Sequence, residues 1–252
     1  NSNLDIKLYF MCYHVSQTSL DFGEKFKVTV PKHWAKSPGE RYHLNGFAHP
    51  KLGVIANDKP NELQEMEWGL IPFWLKTAEQ AIDMANKSLN AKAETIFELP
   101  SFWVAILKRR CIVRVTGFYE WRHYRSKTYP YFIHPHDRSY FALAGIWEEW
   151  TDKETGEIKR TCSIITTEAN PLMAQIHNTK KRMPLILDRE SALKWISSDL
   201  TKEEIKALMN PVSMDKMEAH TISRLVTSRT EKSNVEQVVE QEEYEELPPL
   251  LF

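Results

Sequence analysis

The sequence predicts an α+β fold that is mostly β and forms one domain. Runs rich in Ile, Val, Tyr, Phe and Thr occupy the middle of the chain, and helix-capping patterns stand before and after them. No Pro/Gly/Ser-rich linker divides the 252 residues, of which 42% are hydrophobic. A chain of this composition can bury a sizeable core in a single domain.

The strands follow from local pattern. They are predicted at 111–116, 130–134, 140–147 and 161–167, where β-branched and aromatic residues cluster. The polar segment Asp152–Glu157 separates the last two runs and is a predicted hairpin turn.

Three short helices are predicted around these strands. One spans Ser101–Arg110, with Ser101 as its N-cap and basic residues at its C-terminal end. Its apolar face is formed by Phe102, Trp103 and Ile106. Asp188 caps a second helix that runs through Trp195, and Thr201–Glu204 is a capping-box pattern that opens a third.

Composition argues against several classes of protein. No apolar run approaches the roughly 18 residues that span a bilayer, and the first ten residues lack a signal-peptide pattern, so we expect a cytoplasmic protein without a membrane partner. Three cysteines without a Cys-x-x-Cys pair predict no disulfide framework and no metal site, and we expect no cofactor. Cys111 and Cys162 lie in β-rich runs and are interpreted as small buried hydrophobes.

The net charge of −1 conceals an asymmetry along the chain. Residues 231–252 form an acidic tail with seven acidic residues and one lysine, which leaves 32 basic and 27 acidic residues elsewhere. The resulting excess of +5 permits contact with nucleic acid without requiring it.

Met11-Cys12 is the most informative pair in the sequence. If translation starts at Met11 and this methionine is removed, Cys12 offers a thiol and a free α-amine, with ordinary pKa values of about 8.5 and roughly 7.7–8.0. An aldehyde would form an imine with the amine, and the thiol would then close a five-membered thiazolidine ring. The alternative is that Cys12 is merely a small residue in an opening strand.

The segment that precedes this pair would block the amine while it is attached. Asn1–Phe10 are interpreted as a tag remnant, a wrongly assigned upstream start, or a leader that the protein removes itself.

Further blocks follow Met11-Cys12 in a fixed order. They are Trp68-Gly69-Leu70-Ile71-Pro72-Phe73-Trp74, Asn90-Ala91-Lys92-Ala93-Glu94-Thr95, Gly117-Phe118-Tyr119-Glu120-Trp121, Ala142–Trp147, Ile164–Asn170, Ile176-His177 and Arg182-Met183-Pro184. Together they resemble the SRAP (SOS response-associated peptidase) family, whose members act as abasic-site processing proteins. The resemblance extends to about Val226, and we expect an SRAP-like domain at 11–230 with a central curved, barrel-like antiparallel sheet framed by short helices.

The resemblance implies four catalytic residues. The family's cysteine, asparagine, glutamate and histidine fall on Cys12, Asn90, Glu120 and His177. It implies that Asn90 orients the cysteine, that Glu120 moves protons as imine and ring form, and that His177 helps to open the cyclic sugar. Taken singly, Glu120 would be a surface residue at a strand edge, Asn90 a turn former and His177 a partner of a helix C-terminus.

The resemblance also implies a groove for single-stranded DNA that contains abasic sites. Trp74 matches a DNA-facing aromatic residue, and Lys92 stands where many members have arginine. Thr166 and Arg182 match positions near phosphates. We expect the protein to act as a monomer.

Two departures from the family pattern lie close to these residues. Tyr13-His14 replace the Gly-Arg that follows the cysteine in many members. Asn178-Thr179-Lys180-Lys181 replace the single residue that most members have between the histidine and its arginine.

Three functions remain open at this point. The first is covalent capture of abasic sites through Cys12, with strand cleavage by β-elimination as a minor activity. The second is a peptidase in which the Cys12 thiol attacks a carbonyl, with the leading segment as a possible sole target. The third is a non-catalytic binder of single-stranded DNA, for which Cys12 is dispensable.

Overall fold

The computed structural model of the chain describes residues 12–18, 28–31, 41–228 and 230–251. Asn1–Phe10 and Met11 lie outside the described residues. The strands are β1 (His14–Ser16), β2 (Leu44–Asn45), β3 (Lys51–Ala56), β4 (Leu63–Trp68), β5 (Asn90–Lys92), β6 (Arg110–Val115), β7 (Gly117–Tyr124), β8 (Lys127–Pro135), β9 (Phe141–Thr151), β10 (Ile158–Glu168), β11 (Arg182–Pro184), β12 (Ile186–Leu187) and β13 (Met217–Thr221). The helices are α1 (Ala78–Lys87), α2 (Trp103–Lys108), α3 (Pro171–Ile176), α4 (Arg189–Trp195) and α5 (Lys202–Ala207).

Strands β3, β4, β6, β9 and β10 close into a barrel. β3 pairs antiparallel with β4 and β6, β6 pairs antiparallel with β9, and β9 pairs antiparallel with β10. A parallel pairing of β10 with β4, in which Cys162 lies opposite Trp68, completes the ring. The predicted α+β class, mostly β with a barrel-like sheet and short helices, is confirmed, and the closing pair is parallel where the other four are antiparallel.

A second sheet supplies the strands on which the candidate site is built. Its order is β2-β1-β7-β8-β13, and all of its pairings are antiparallel. β1 pairs with the beginning of β7, where Val15 lies opposite Phe118.

The barrel strands are apolar on both faces. On β6, Val113 belongs to the cluster that contains Val54 and Leu143, whereas its neighbour Ile112 packs in a second cluster with Trp195 of α4. Successive side chains of a strand point to opposite faces, so both clusters draw on the same strands. Cys111 and Cys162 are 0% exposed and belong to the first cluster, which confirms their interpretation as buried small residues.

The local predictions hold for most elements. The four predicted strands are confirmed as β6, β8, β9 and β10, with bounds shifted by a few residues. The hairpin turn is confirmed because the Asp152 N–H donates to the Glu157 carbonyl. The Asp188 cap and the Thr201 capping box are also confirmed at α4 and α5.

The predicted helix Ser101–Arg110 is wrong at both ends. The helix is α2, and Phe102 occupies its N-cap position without a capping side chain, while the Ser101 hydroxyl donates to the Met84 sulfur. Arg110 already belongs to β6, and its buried guanidinium donates to the carbonyls of Ile106 and Leu107. The Arg110 side chain therefore supplies hydrogen bonds to the free carbonyls at the end of α2. The Arg110 backbone pairs with β9 and so belongs to the sheet instead of the helix.

The apolar face predicted for this helix is only partly buried. Phe102 and Ile106 are buried, whereas Trp103 is 49% exposed. Trp103 therefore lies on the solvent side of α2.

The acidic tail packs against the second sheet. Glu246 pairs with Lys127 at 2.8 Å, and the Arg122 guanidinium donates to the Pro248 carbonyl at 2.6 Å. Val238 is fully buried. These contacts dock residues 231–251 in this structure. Within the described ranges, the helices are all too short or too polar to cross a bilayer.

Candidate active site

Cys12 and Glu120 meet where β1 begins beside β7. The backbone N–H of Cys12 donates to Oε1 of Glu120 at 2.6 Å. Cys12 is 1% exposed, and its φ of 32° lies in the left-handed region, which costs a residue with a Cβ about 1 to 2 kcal/mol. The strained backbone at this position is held by a contact to a carboxylate that is itself buried.

Glu120 is a buried carboxylate within the middle of a strand. It is 0% exposed, and its Oε2 has no hydrogen-bond partner among the described residues. Burial raises the pKa of Glu120, although the charge of His177 and the hydrogen bonds from Cys12 act in the opposite direction. The alternative that Glu120 is a surface residue at a strand edge is wrong.

His177 follows α3, which Asn170 caps through the Met173 N–H. The His177 Nδ1 lies 3.0 Å from the Arg182 carbonyl oxygen, which can only accept, so Nδ1 is assigned the proton. In the neutral ring, Nε2 then carries the lone pair, and this buried atom has no partner among the described residues. His177 Nδ1 lies 3.9 Å from Glu120 Oε1.

His177 does also occupy the C-cap of α3, as the simpler alternative proposed. Its backbone N–H donates to the Met173 carbonyl at 2.7 Å. The imidazole points elsewhere, toward Arg182 and Glu120. The backbone of His177 therefore caps the helix, while its imidazole is free to face the site.

Asn90 begins β5, which runs parallel to β10 with Asn90 opposite Ile164. It is half-buried and belongs to a strand, so the alternative of a turn former is wrong. Its predicted role in orienting Cys12 stays a prediction.

Arg182 is held by a carboxylate from the block that contains Asn90. Its two terminal nitrogens donate to the two oxygens of Glu94 at 2.6 and 2.9 Å, and Nη2 also donates to the Thr166 carbonyl at 2.7 Å. The Arg182 side chain is 12% exposed. The structure therefore pairs the predicted phosphate-side arginine with Glu94, a residue that the sequence pattern did not single out.

Burial and a neighbouring carboxylate disfavour the thiolate form of Cys12. Burial raises the pKa of Cys12 well above its ordinary value, and the nearby Glu120 carboxylate raises it further. The charge of Arg182 lowers it, but less. A buried thiol of this kind is a weak nucleophile until its environment changes.

The residues predicted to contact DNA differ in exposure. Trp74 is 45% exposed and its neighbour Phe73 is 50% exposed. Lys92 is exposed, whereas Thr166 is fully buried and packs its hydroxyl near Arg182. Their contacts with DNA stay predictions.

The geometry brings Cys12, Glu120 and His177 together. The family model described as SOS response associated peptidase (SRAP) matches residues 11–229. The chain belongs to the SRAP family.

Relatives of this SRAP chain carry a common description. "Abasic site processing protein YoqW" from Bacillus subtilis is 36% identical over 208 residues, which cover 81% of this chain and 88% of the relative. "Abasic site processing protein HMCES" from Gallus gallus is 30% identical over 194 residues, which cover 69% of this chain and 56% of the relative.

Solved structures agree with the fold. A crystal structure of a protein from Bacteroides thetaiotaomicron has a TM-score of 0.86 and 38% identity, with 92% of this SRAP chain and 100% of the other chain covered. A protein from Bordetella bronchiseptica, at 21% identity and a TM-score of 0.71, covers 84% of this chain and is covered completely; it supports the fold alone.

Two further residues of the site escaped the sequence analysis. Glu94 belongs to the block that begins at Asn90, and its position two residues after Lys92 was the only hint in the sequence that it lies near the site. Asn178 contacts β7 through His123, and no local pattern indicated this contact.

Proposed function

We propose that this SRAP protein, in a form that begins at Cys12, captures the aldehyde of abasic sites in single-stranded DNA as a covalent thiazolidine. The supporting observation is the 2.6 Å contact between the Cys12 nitrogen and Glu120. A carboxylate on this nitrogen suits chemistry at an α-amine, because it can take up and return the proton of that amine. The relatives' shared description supports the choice of substrate.

The bonds change in three steps. The Cys12 amine attacks C1′ of the open sugar and forms a carbinolamine, which loses water to give an imine. The thiol sulfur then adds to the imine carbon, and its proton passes to the nitrogen. The net reaction joins protein and DNA with loss of one water molecule.

Glu120 and His177 divide the proton transfers. Glu120, with its raised pKa, can take a proton from the amine and return it to the departing hydroxyl. The Nε2 lone pair of His177 can accept the proton of the C1′ hydroxyl, which opens the furanose to the aldehyde. An imine also acidifies the adjacent C–H, so β-elimination is a minor side reaction until the thiol closes the ring.

We assign DNA binding to exposed residues that the family pattern names. Trp74 would stack on an unpaired base, and Lys92 would contact a phosphate as a point charge. Thr166 would act through Arg182, because its own side chain is buried.

The test uses a chain that starts at Cys12 and an oligonucleotide with one abasic site. We expect a complex that survives denaturation, with the summed mass of both molecules minus one water. Cys12→Ala should abolish it, and Cys12→Ser should give a labile imine that only borohydride traps. Cys111→Ala, a buried thiol of the barrel, is the matched control and should retain the crosslink. A crosslink of full stability in Cys12→Ala would contradict the proposal.

A second candidate function is cleavage of the chain before Cys12. The strained φ of 32° and the buried carboxylate at its nitrogen lie beside the bond that must break. The thiol would add to the preceding carbonyl, the nitrogen would leave with a proton from Glu120, and water would hydrolyse the thioester. Intact mass of the full chain over time tests this, and Cys12→Ala should prevent any loss of residues 1–11.

A further inference from the structure

The Asn178 side chain fastens the turn after His177 to β7. The Asn178 side-chain N–H donates to the His123 carbonyl at 2.7 Å, and the His123 N–H donates to the Asn178 Oδ1 at 3.1 Å. The amide thus satisfies both backbone groups of one residue, as a neighbouring strand would. β1 pairs with β7 at Gly117 and Phe118, so Asn178 contacts a later part of this strand.

The same turn is closed on itself. The Lys181 N–H donates to the His177 carbonyl at 2.8 Å, and the Ala169 N–H donates to the Lys181 carbonyl at 3.0 Å. Lys181 adopts a φ of 51°, in the left-handed region. His177 is therefore held at one end of a tight turn, and the Asn178 amide ties this turn to the second sheet.

The contact links the chain segments that carry the two proton-transfer groups of the site. His123 lies three residues after Glu120 on β7, and Asn178 directly follows His177. A shift of the turn away from β7 would therefore lengthen the 3.9 Å separation between the imidazole and the carboxylate.

We propose that Asn178 is a positioning residue that sets the His177 imidazole against Glu120 and the sugar ring. This inference rests on the proposed function. Asn178 does not touch the reacting atoms, and it acts through the placement of His177. Its effect should therefore be confined to the step that needs His177, which is the opening of the furanose.

The test compares Asn178→Ala with two substrates at saturating DNA. With a natural abasic site, which is mostly a closed ring, we expect the crosslinking rate to fall about 5- to 30-fold, equivalent to about 1 to 2 kcal/mol. With an acyclic aldehyde analogue that cannot form the furanose, we expect the rate to stay within about 2-fold of the wild type, because 2-fold is only about 0.4 kcal/mol. The DNA dissociation constant should not change with either substrate.

Two further variants separate positioning from loss of structure. Thr179→Ala alters an exposed neighbour in the same turn and should behave as the wild type. Asn178→Asp keeps an acceptor for the His123 N–H but loses the donor, and it should give an intermediate rate.

Each other outcome overturns the inference. An equal loss with both substrates would mean that Asn178 only stabilises the fold. An unchanged rate with the natural site would mean that His177 needs no anchor on β7. A wild-type chain that crosslinks neither substrate would overturn the proposed function itself, together with this inference.

Discussion

The Cys12 nitrogen and the Glu120 Oε1 are 2.6 Å apart at the junction of β1 and β7. Both residues are buried, so this polar contact forms away from water and is stronger than the same contact on a surface. The carboxylate can hold the nitrogen in place but must also be desolvated to do so. Reactivity and stability therefore make opposing demands on Glu120.

Glu120→Gln should stabilise the fold while it impairs crosslinking. The pKa of Glu120 is raised above its ordinary value of 4.5, so the folded chain binds this proton more tightly than the unfolded chain. Stability consequently falls as pH rises from the ordinary pKa through the raised one. The variant removes this loss and should gain about 1 kcal/mol at pH 8, or about 2–4 °C in Tm.

Thermal unfolding at two pH values tests the sign of this effect. Near pH 4 the carboxyl is largely protonated in both states, so the gain of Glu120→Gln should disappear. Crosslinking by the variant should fall about 10²- to 10⁴-fold, because a proton-transfer group is lost. A variant less stable than the wild type at pH 8 would contradict the argument.

The three cysteines should resist alkylation in the full chain. Burial raises the pKa of Cys162 to about 12 and those of Cys12 and Cys111 well above the ordinary value. At pH 7.5 we expect iodoacetamide to react on the order of 100-fold more slowly with each than in urea, because the thiolate fraction is small. Peptide mass spectrometry measures each site. Rapid labelling of Cys12 alone would indicate that its thiol is exposed and activated before DNA arrives.

Local patterns predicted the elements whose causes are local. The Asp152–Glu157 turn and the Asp188 and Thr201 caps depend on residues within one turn of the chain, and all three are confirmed. The end of α2 was predicted wrongly because Arg110 pairs with β9, a strand distant in sequence, and does not continue the helix. The parallel closure of the barrel is likewise invisible in a pattern of apolar residues.

In the candidate site, too, the sequence indicated some residues but not the contacts between distant parts of the chain. The family pattern named Cys12, Glu120 and His177, and the structure brings these three together. It could not name the partners of Arg182 or Asn178, because these contacts join residues 88 and 55 positions apart. Such pairs depend on the fold as a whole and leave no signature in the local sequence.

Glu94→Gln should strengthen the binding of single-stranded DNA. Glu94 occupies both terminal nitrogens of Arg182, as a phosphate would, so DNA must displace a carboxylate to use this arginine. The neutral glutamine side chain loses the charge that holds the Arg182 guanidinium, which becomes available to a phosphate. We expect a several-fold gain in affinity at low salt, and a slope of log K against log salt that is steeper by about 0.7, the value for one added phosphate contact.

Glu98→Gln is the control for this prediction. Glu98 is an exposed residue of the same segment, so its variant removes the same charge without touching Arg182. Fluorescence anisotropy across a salt series compares the two. Equal gains in both variants would assign the effect to net charge and not to the Arg182 fork.

Gly117→Ala should destabilise the sheet that carries Glu120. A Cβ at Gly117 would lie 2.3 Å from Cζ of Phe132 and 2.6 Å from the Ile133 carbonyl oxygen, and the backbone contact cannot be relieved by a rotamer change. We expect a loss of about 1–3 kcal/mol in the free energy of unfolding, read from urea denaturation. Because β7 must shift to relieve the contact, crosslinking at saturating DNA should also slow.

Gly156→Ala separates this effect from the general cost of replacing a glycine. Gly156 has a φ of 76° and open space around its Cβ position, so alanine there costs about 1 kcal/mol through backbone strain alone. It lies in the turn between β9 and β10 and should leave the crosslinking rate unchanged. If Gly117→Ala lost stability but crosslinked at the wild-type rate, the position of β7 would not control the site.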